Sequence, residues 1–266
     1  MDFVKALTFI PEDPRWKEKI LLGTVVVLVS GALMPILIGV VGFLILMGYC
    51  VRLLRNIGNG DRLPLPEWDD WGGDLTRGFK LAVVSFVWAL PIILLSLPVA
   101  ISGVFMGIGS ENEAGFFTAI GGIGMSFGYR LLLLYGIFYA LVTPGFTLWY
   151  ARTDEISGGL RFTEIWHWTR EHLSSVILYV IAVIVASFLI STVASIAGVV
   201  LCVIGLIVTV PLGSLLVYLY QYHLLGQLEY KDRTGQPYVP PVAPAPAPVM
   251  PAPVPPAAPG PEQSGQ

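Results

Sequence analysis

The chain has 266 residues, 55% of them hydrophobic and 12% charged, and its mean hydropathy is +0.74. Soluble domains carry about 25% charged residues, so half of the usual solvating surface is missing and a soluble globular protein is excluded. The net charge of −3 says little about partners, because the charges lie in separate loops, and no nucleic-acid partner is expected.

No Asp, Glu, Lys or Arg occurs in 20–51, 81–110, 131–151 or 173–228. Runs of about 18 or more apolar residues read as membrane helices, since about 20 helical residues cross a ~30 Å hydrocarbon layer. Backbone hydrogen bonds must close internally in lipid, which makes these runs helical. The expected fold class is all-α: a polytopic transmembrane bundle of about six helices with short interfacial helices.

The N-terminal segment 1–19, "MDFVKALTFIPEDPRWKEK", places four acids and two prolines before the first apolar run, unlike a cleavable signal peptide. Phe3, Leu7 and Phe9 or Ile10 are expected to face lipid, with Trp16, Lys17 and Lys19 as interfacial anchors. The run 20–49 exceeds one span and falls short of two. "SGALMP" would kink a single long span, or turn a short helix near Gly31 into a longer one from about Pro35 to Arg55. The basic N-terminal segment favours the hairpin, which gives six helices with the N-terminus inside. One crossing would give five, with the N-terminus outside.

The loop 52–80 contains "LPLPEWDDWGGDLTRGFK". Pro64 and Pro66 push Leu63 and Leu65 toward extended backbone. Asp69 or Asp70 is expected to cap a short helix on which Trp68 and Trp71 share a face in the headgroup layer. Arg77 and Lys80 follow, placed to meet lipid phosphates or to pair with Asp70 and Asp74. A divalent-cation reading of Glu67, Asp69, Asp70 and Asp74 is disfavoured, because no calcium-loop spacing is present. A span over 75–101 tolerates Pro91 and Pro98, and a turn at 102–115 follows.

Arg130 is expected at the outer end of a span over 131–151, where it snorkels. A span beginning near Phe116 would instead place it deep in the membrane and in need of a partner. The loop 152–172 carries "FTEIWHWTREHL", read as an amphipathic interfacial helix with Trp166 and Trp168 as anchors, beside His167 and Arg170. The zinc-protease spacing is absent. Residues 173–228 form two spans broken near "ASIAGVV". From Pro237 nearly every second residue is proline, so 229–266 is expected to be a disordered tail with polyproline II character. Cys50 and Cys202 have no neighbouring Cys and read as packing residues, and no metal or cofactor is expected.

Arg52, Arg55, Arg62, Arg77, Lys80, Arg152, Arg161, Arg170, Lys231 and Arg233 place both aromatic loops and the tail in the cytoplasm by the positive-inside rule. Two stretches, each with a basic span end, a glycine, a polar-aromatic loop and a span, could form parallel repeat units. "GYCVRLLRNIGNGDRLPLPEWDDWGGDLTRGFKL", with the later "GGLRFTEIW" and "YHLLGQLEY", resembles the prokaryotic membrane family of unknown function numbered 4013, over roughly residues 1–232. The resemblance implies several membrane helices and no established activity, so it supplies no catalytic residues.

The functional expectation is a non-enzymatic scaffold or accessory component of the cell membrane. It would meet the bilayer and a cytoplasmic protein, through its loops or its tail. The alternative is a transporter or channel, which requires Thr143, Ser187, Ser191, Thr192, Thr209 and Ser214 to line a polar path. Lipid binding or lipid chemistry would require Glu67, Asp69, Asp70, His167, Arg170 and His172 to converge.

Overall fold

The structure is a computed structural model, and it describes residues 1–111, 115–201 and 205–239. The proline-rich tail from residue 240, Cys202, and residues 112–114 of the expected outer turn lie outside the described residues.

The described residues are helical, without strands. They form α1 (Lys5–Thr8), α2 (Trp16–Ala32), α3 (Gly39–Asn59), α4 (Trp71–Glu111), α5 (Gly115–Thr153), α6 (Ile156–Gly159), α7 (Phe162–Glu171), α8 (Leu173–Val200) and α9 (Leu206–Thr234). Among them, five helices are long and apolar enough to cross a membrane, namely α3, α4, α5, α8 and α9. The helix α2 has 17 residues and rises about 25 Å. It is the shorter arm of the hairpin that the break at "SGALMP" leads one to expect. A turn of 3₁₀ helix carries Pro35 at its start and ends at Leu37, which takes the left-handed conformation at φ 62°. Gly39 can then follow because it has no Cβ to strike the Ser30 carbonyl.

α3 ends in a Schellman-type cap. Gly60 sits at φ +81°, its N–H donates to the Ile57 carbonyl at 2.9 Å, and the Asp61 N–H donates to the Asn56 carbonyl at 2.9 Å. The start of α4 differs from expectation. No separate short helix precedes it, because the Asp70 carboxylate accepts the Gly73 N–H at 3.1 Å and caps the long helix directly. Trp68 stays outside that helix and meets Trp71 at 5.5 Å between ring centres.

Four further boundaries are corrected. α4 runs on to Glu111, so most of the expected turn over 102–115 is helical. α5 begins at Gly115 rather than near Leu131, so Arg130 lies within a helix of 39 residues. The break between α8 and α9 falls after Val200 instead of within 194–200, and α9 continues six residues past Leu228 into the expected tail.

The core lies between α3, α4, α5 and α9, with Leu53, Leu54, Ile57, Leu148, Tyr150, Leu215 and Leu219 fully buried. Glycines set the helix crossings. Gly48 and Gly78 lie against the α4 and α3 backbones at Asp74 and Leu44, and Gly226 lies against Ile57. The N-terminal segment is part of this core and does not face lipid throughout. Phe9 and Ile10 are buried, and only Leu7 of the expected lipid-facing residues is exposed. Phe9 packs on His223 of α9 at 4.4 Å between ring centres.

Candidate functional site: the charged end of the bundle

Most of the charged side chains gather where the loops 52–80 and 152–172 meet the ends of α2, α3 and α9. Asp74 is at their centre and is only 1% exposed. It sits on the first turns of α4, facing α3 across Gly48. Arg52 of α3 grips it with two hydrogen bonds, Nε to Oδ1 at 2.9 Å and Nη2 to Oδ2 at 2.6 Å. Arg77, one turn along α4, adds Nη1 to Oδ1 at 2.6 Å. Such forked, charge-assisted bonds are the strong class. Arg52 reaches on to Asp69 at 3.0 Å, and Arg77 to Asp70 at 2.5 Å. These arginine hydrogen bonds hold the Asp69 and Asp70 carboxyls below the usual carboxylate range.

Lys19 is the second centre, with its side chain 5% exposed. Its ammonium donates to Asp13 at 2.5 Å and to the Leu65 carbonyl at 2.9 Å, and pairs with Glu67 at 2.8 Å. Arg15 also pairs with Glu67 at 2.5 Å. The backbone directions imposed by Pro64 and Pro66 thus present carbonyls to Asn56 Nδ2 at 2.9 Å and to the Tyr49 hydroxyl at 2.9 Å.

Asp154 makes a third centre just beyond α5, in the left-handed conformation at φ 57°. Arg55 donates to its carboxylate at 2.9 Å and to the Ala151 carbonyl at 2.8 Å. Lys80 donates to the Asp154 carbonyl at 2.9 Å. Burial works to raise the Asp154 carboxyl, but the Arg55 hydrogen bond and the Arg55 and Lys80 charges outweigh it and hold the group below its ordinary value. The fourth centre is Arg152, with Nε on Glu229 at 2.8 Å and Nη2 on Asp232 at 2.5 Å. Asp232 also accepts from Trp168 Nε1 at 3.2 Å and faces His172 Nε2 at 3.3 Å.

Several aromatic residues occupy places other than those the sequence leads one to expect. Trp168 is buried rather than outward-facing, because α7 turns it toward α9 and Asp232. Trp68 stacks on Tyr49 at 4.0 Å and donates its indole N–H to the Lys19 carbonyl at 2.9 Å, so it ties loop to bundle. Trp16 is half-buried against the core, with Lys17 over its ring at 5.8 Å. Trp71 and Trp166 are exposed, and Arg170 lies over Trp166 at 4.5 Å. His167 is exposed and neighbours Glu171 at 3.4 Å, one turn away as the spacing implies. The partners that sequence reasoning missed are Asp13, Glu229 and Asp232. Each lies in an ordinary charged stretch, and only the cation that the fold brings to it gives it a role.

A cavity of about 440 Å³ opens between these groups, lined by Arg55, Arg152, Arg233, Asp154, Glu229 and Asn59. Its carboxylates are bonded to arginine. Among the described residues no three His, Cys, Asp or Glu side chains are grouped to hold a metal ion. The acids of the first loop pair with Arg15, Lys19, Arg52 and Arg77, whereas His167 and His172 pair with Glu171 and Asp232. The two sets share no bond among the described residues. The membrane hydroxyls differ in their surroundings, and Thr209 Oγ1 is buried without a hydrogen-bond partner among the described residues. Thr143 and Ser214 bond to carbonyls of their own helices at 2.7 and 2.9 Å, and Ser191 and Thr192 face outward.

The model of the family described as "Protein of unknown function (DUF4013)" matches residues 31–217. The match takes in both loops and leaves out "YHLLGQLEY". No curated protein and no solved structure matches the chain.

Proposed function

The chain belongs to the DUF4013 family, and from that membership and its five apolar helices we propose that it is a multi-pass protein of the cell membrane that acts without catalysis, as a scaffold or accessory component. In this reading the charged end and the C-terminus face the cytoplasm, and the charged end receives a cytoplasmic protein. The orientation is supported by the basic residues, ten of which belong to the two loops and the end of α9.

One observation carries the functional reading. The carboxylates of Glu67, Asp69, Asp70, Asp74 and Asp154 are paired with arginines and lysines, and Asp74 is held by both Arg52 and Arg77. A catalytic site keeps a group free for the reaction, whereas groups locked in pairs give a rigid, preformed surface. Pre-organisation of that kind lowers the cost of binding a partner. What the surface offers outward is Arg161, Glu164, His167 and Arg170 on α7 and its approach, all exposed.

The test is purification of the full chain from its native membranes in mild detergent, beside the double variant Arg161→Glu, Arg170→Glu. A protein that accompanies the wild type in fixed ratio and is lost from the variant supports the reading. A chain that purifies alone, and that makes vesicles of phosphatidylcholine and phosphatidylglycerol leak a small solute, overturns it in favour of transport.

A further inference from the structure

The helices α8 and α9 pack side by side, and a groove of about 360 Å³ runs along α8 from Leu178 to Ile190. Two small side chains one turn apart, Ala182 and Ala186, make its floor. The exposed side chains of Leu178, Ile181, Val185 and Leu189 stand around them. Tyr220 of α9 forms the opposite wall, and Phe3 and Leu7 of the N-terminal segment close one end. That segment is fastened to α9 by Asp2 on Gln227 and by Phe9 on His223, so the closed end is the one nearest the charged side chains.

The shape of the groove decides between occupants. From Leu178 to Ile190 the helix rises about 18 Å, close to a single leaflet at about 15 Å, half of a ~30 Å core. A spanning helix of a partner, or of a second copy, would need the whole thickness, and the N-terminal segment stands across its way. A hydrocarbon chain needs one leaflet only, and its head can rest beside that segment.

Tyr220 adds a chemical requirement. It is 5% exposed, its hydroxyl bonds to no described residue, and its oxygen is not among the sealed polar atoms. A hydroxyl beside hydrocarbon is costly without an acceptor, and no side chain lining the groove supplies one. Tyr220 stands one helical turn, about 5 Å, further in than His223. An occupant anchored at the N-terminal segment would therefore bring its oxygen to the end of the groove where the tyrosine is.

We propose that this groove binds one hydrocarbon chain of a lipid, and that Tyr220 donates to the oxygen that joins the chain to its head. Both a membrane lipid and a free fatty acid carry such an oxygen. The site is remote from the outward side chains of α7, so the inference goes beyond the proposed cytoplasmic contact and does not depend on it.

The test is native mass spectrometry of the full chain, purified from its native membranes in mild detergent and washed extensively. The expected result is one lipid retained per chain, whose mass distinguishes a membrane lipid from a fatty acid. Ala182→Phe fills the floor and should lower retention about tenfold. Tyr220→Phe keeps the ring and should lower it about fivefold through the lost hydrogen bond. Ile184→Phe, an exposed position of α8 outside the groove, should leave it unchanged. A wild-type chain without lipid overturns the proposal, as does retention indifferent to Ala182→Phe or to Tyr220→Phe, or an equal loss in Ile184→Phe. The pair Arg161→Glu, Arg170→Glu should keep the lipid, which separates failure here from failure of the cytoplasmic reading.

Discussion

Gly48 of α3 lies flat against the backbone of Asp74 on α4, with no room between them for a Cβ. This contact brings the two helices close enough for Arg52, one turn further along α3, to reach the buried carboxylate. Both neighbours at the contact are backbone, so neither can rotate away. Gly48→Ala should therefore destabilise the bundle by about 2–3 kcal/mol through overpacking. Gly72→Ala, which meets nothing within 4 Å, should be neutral or slightly stabilising. Thermal unfolding in detergent, followed by circular dichroism, checks the pair.

Asp74→Asn keeps the size of the side chain and removes its charge. Arg52 and Arg77 would then face each other, about one-fifth exposed, without the anion between them. Breaking a buried pair by removing one partner costs about 3–5 kcal/mol, and the loss here should lie near the lower bound because Asp69 and Asp70 remain. Adding Arg52→Met should restore part of the loss. An additive double mutant would mean that Arg52 and Asp74 are not coupled.

The hairpin of α2 and α3 was legible in the sequence because Pro35 and the glycines interrupt an apolar run at one place. The amphipathic α7 was legible from the spacing of its tryptophans. The roles of those tryptophans were not. Trp68 and Trp168 look like headgroup anchors when read alone, but each has an indole N–H that bonds to a group far along the chain, the Lys19 carbonyl and Asp232. Periodicity reports which way a side chain points from its own element and is silent on what the fold brings to meet it. The overshoot of α4 and α5 was hidden for a related reason. Glycines and polar residues of "GIGSENEAG" resemble a turn, yet α4 runs through them to Glu111.

Acid should loosen the charged end. Asp69, Asp70 and Asp154 are held below their ordinary values in the folded chain. A lowered carboxyl contributes its full stabilisation above the unfolded value of about 3.9 and loses it as pH falls through the folded value. The melting temperature should hold steady from about pH 7 to 5 and fall below about pH 4. Asp154→Asn should show a smaller acid-induced fall, because one of the titrating groups is gone. An equal fall in both would mean that other carboxyls govern it.

Tyr49→Phe should cost about 1 kcal/mol. The change removes the hydroxyl bond to the Pro66 carbonyl at 2.9 Å and keeps the ring that stacks on Trp68. Tyr49→Leu should cost more, about 2–3 kcal/mol, because the stacked ring goes with the hydroxyl. Intrinsic tryptophan fluorescence reports the difference, since Trp68 loses its neighbour only in the second variant.

The backbone N–H of Asp2 donates to the side-chain oxygen of Gln227 at 2.6 Å, and the Gln227 amide returns a bond to the Asp2 carbonyl at 2.8 Å. Asp2 is thus fastened to a helix more than two hundred residues further along the chain. During synthesis these contacts of Asp2, and that of Phe9 with His223, must wait until α9 has been made. A protein cut short anywhere before α9 keeps its oily helices but leaves its N-terminal hook unfastened. Exposure of that hook is a physical mark by which an unfinished molecule differs from a finished one.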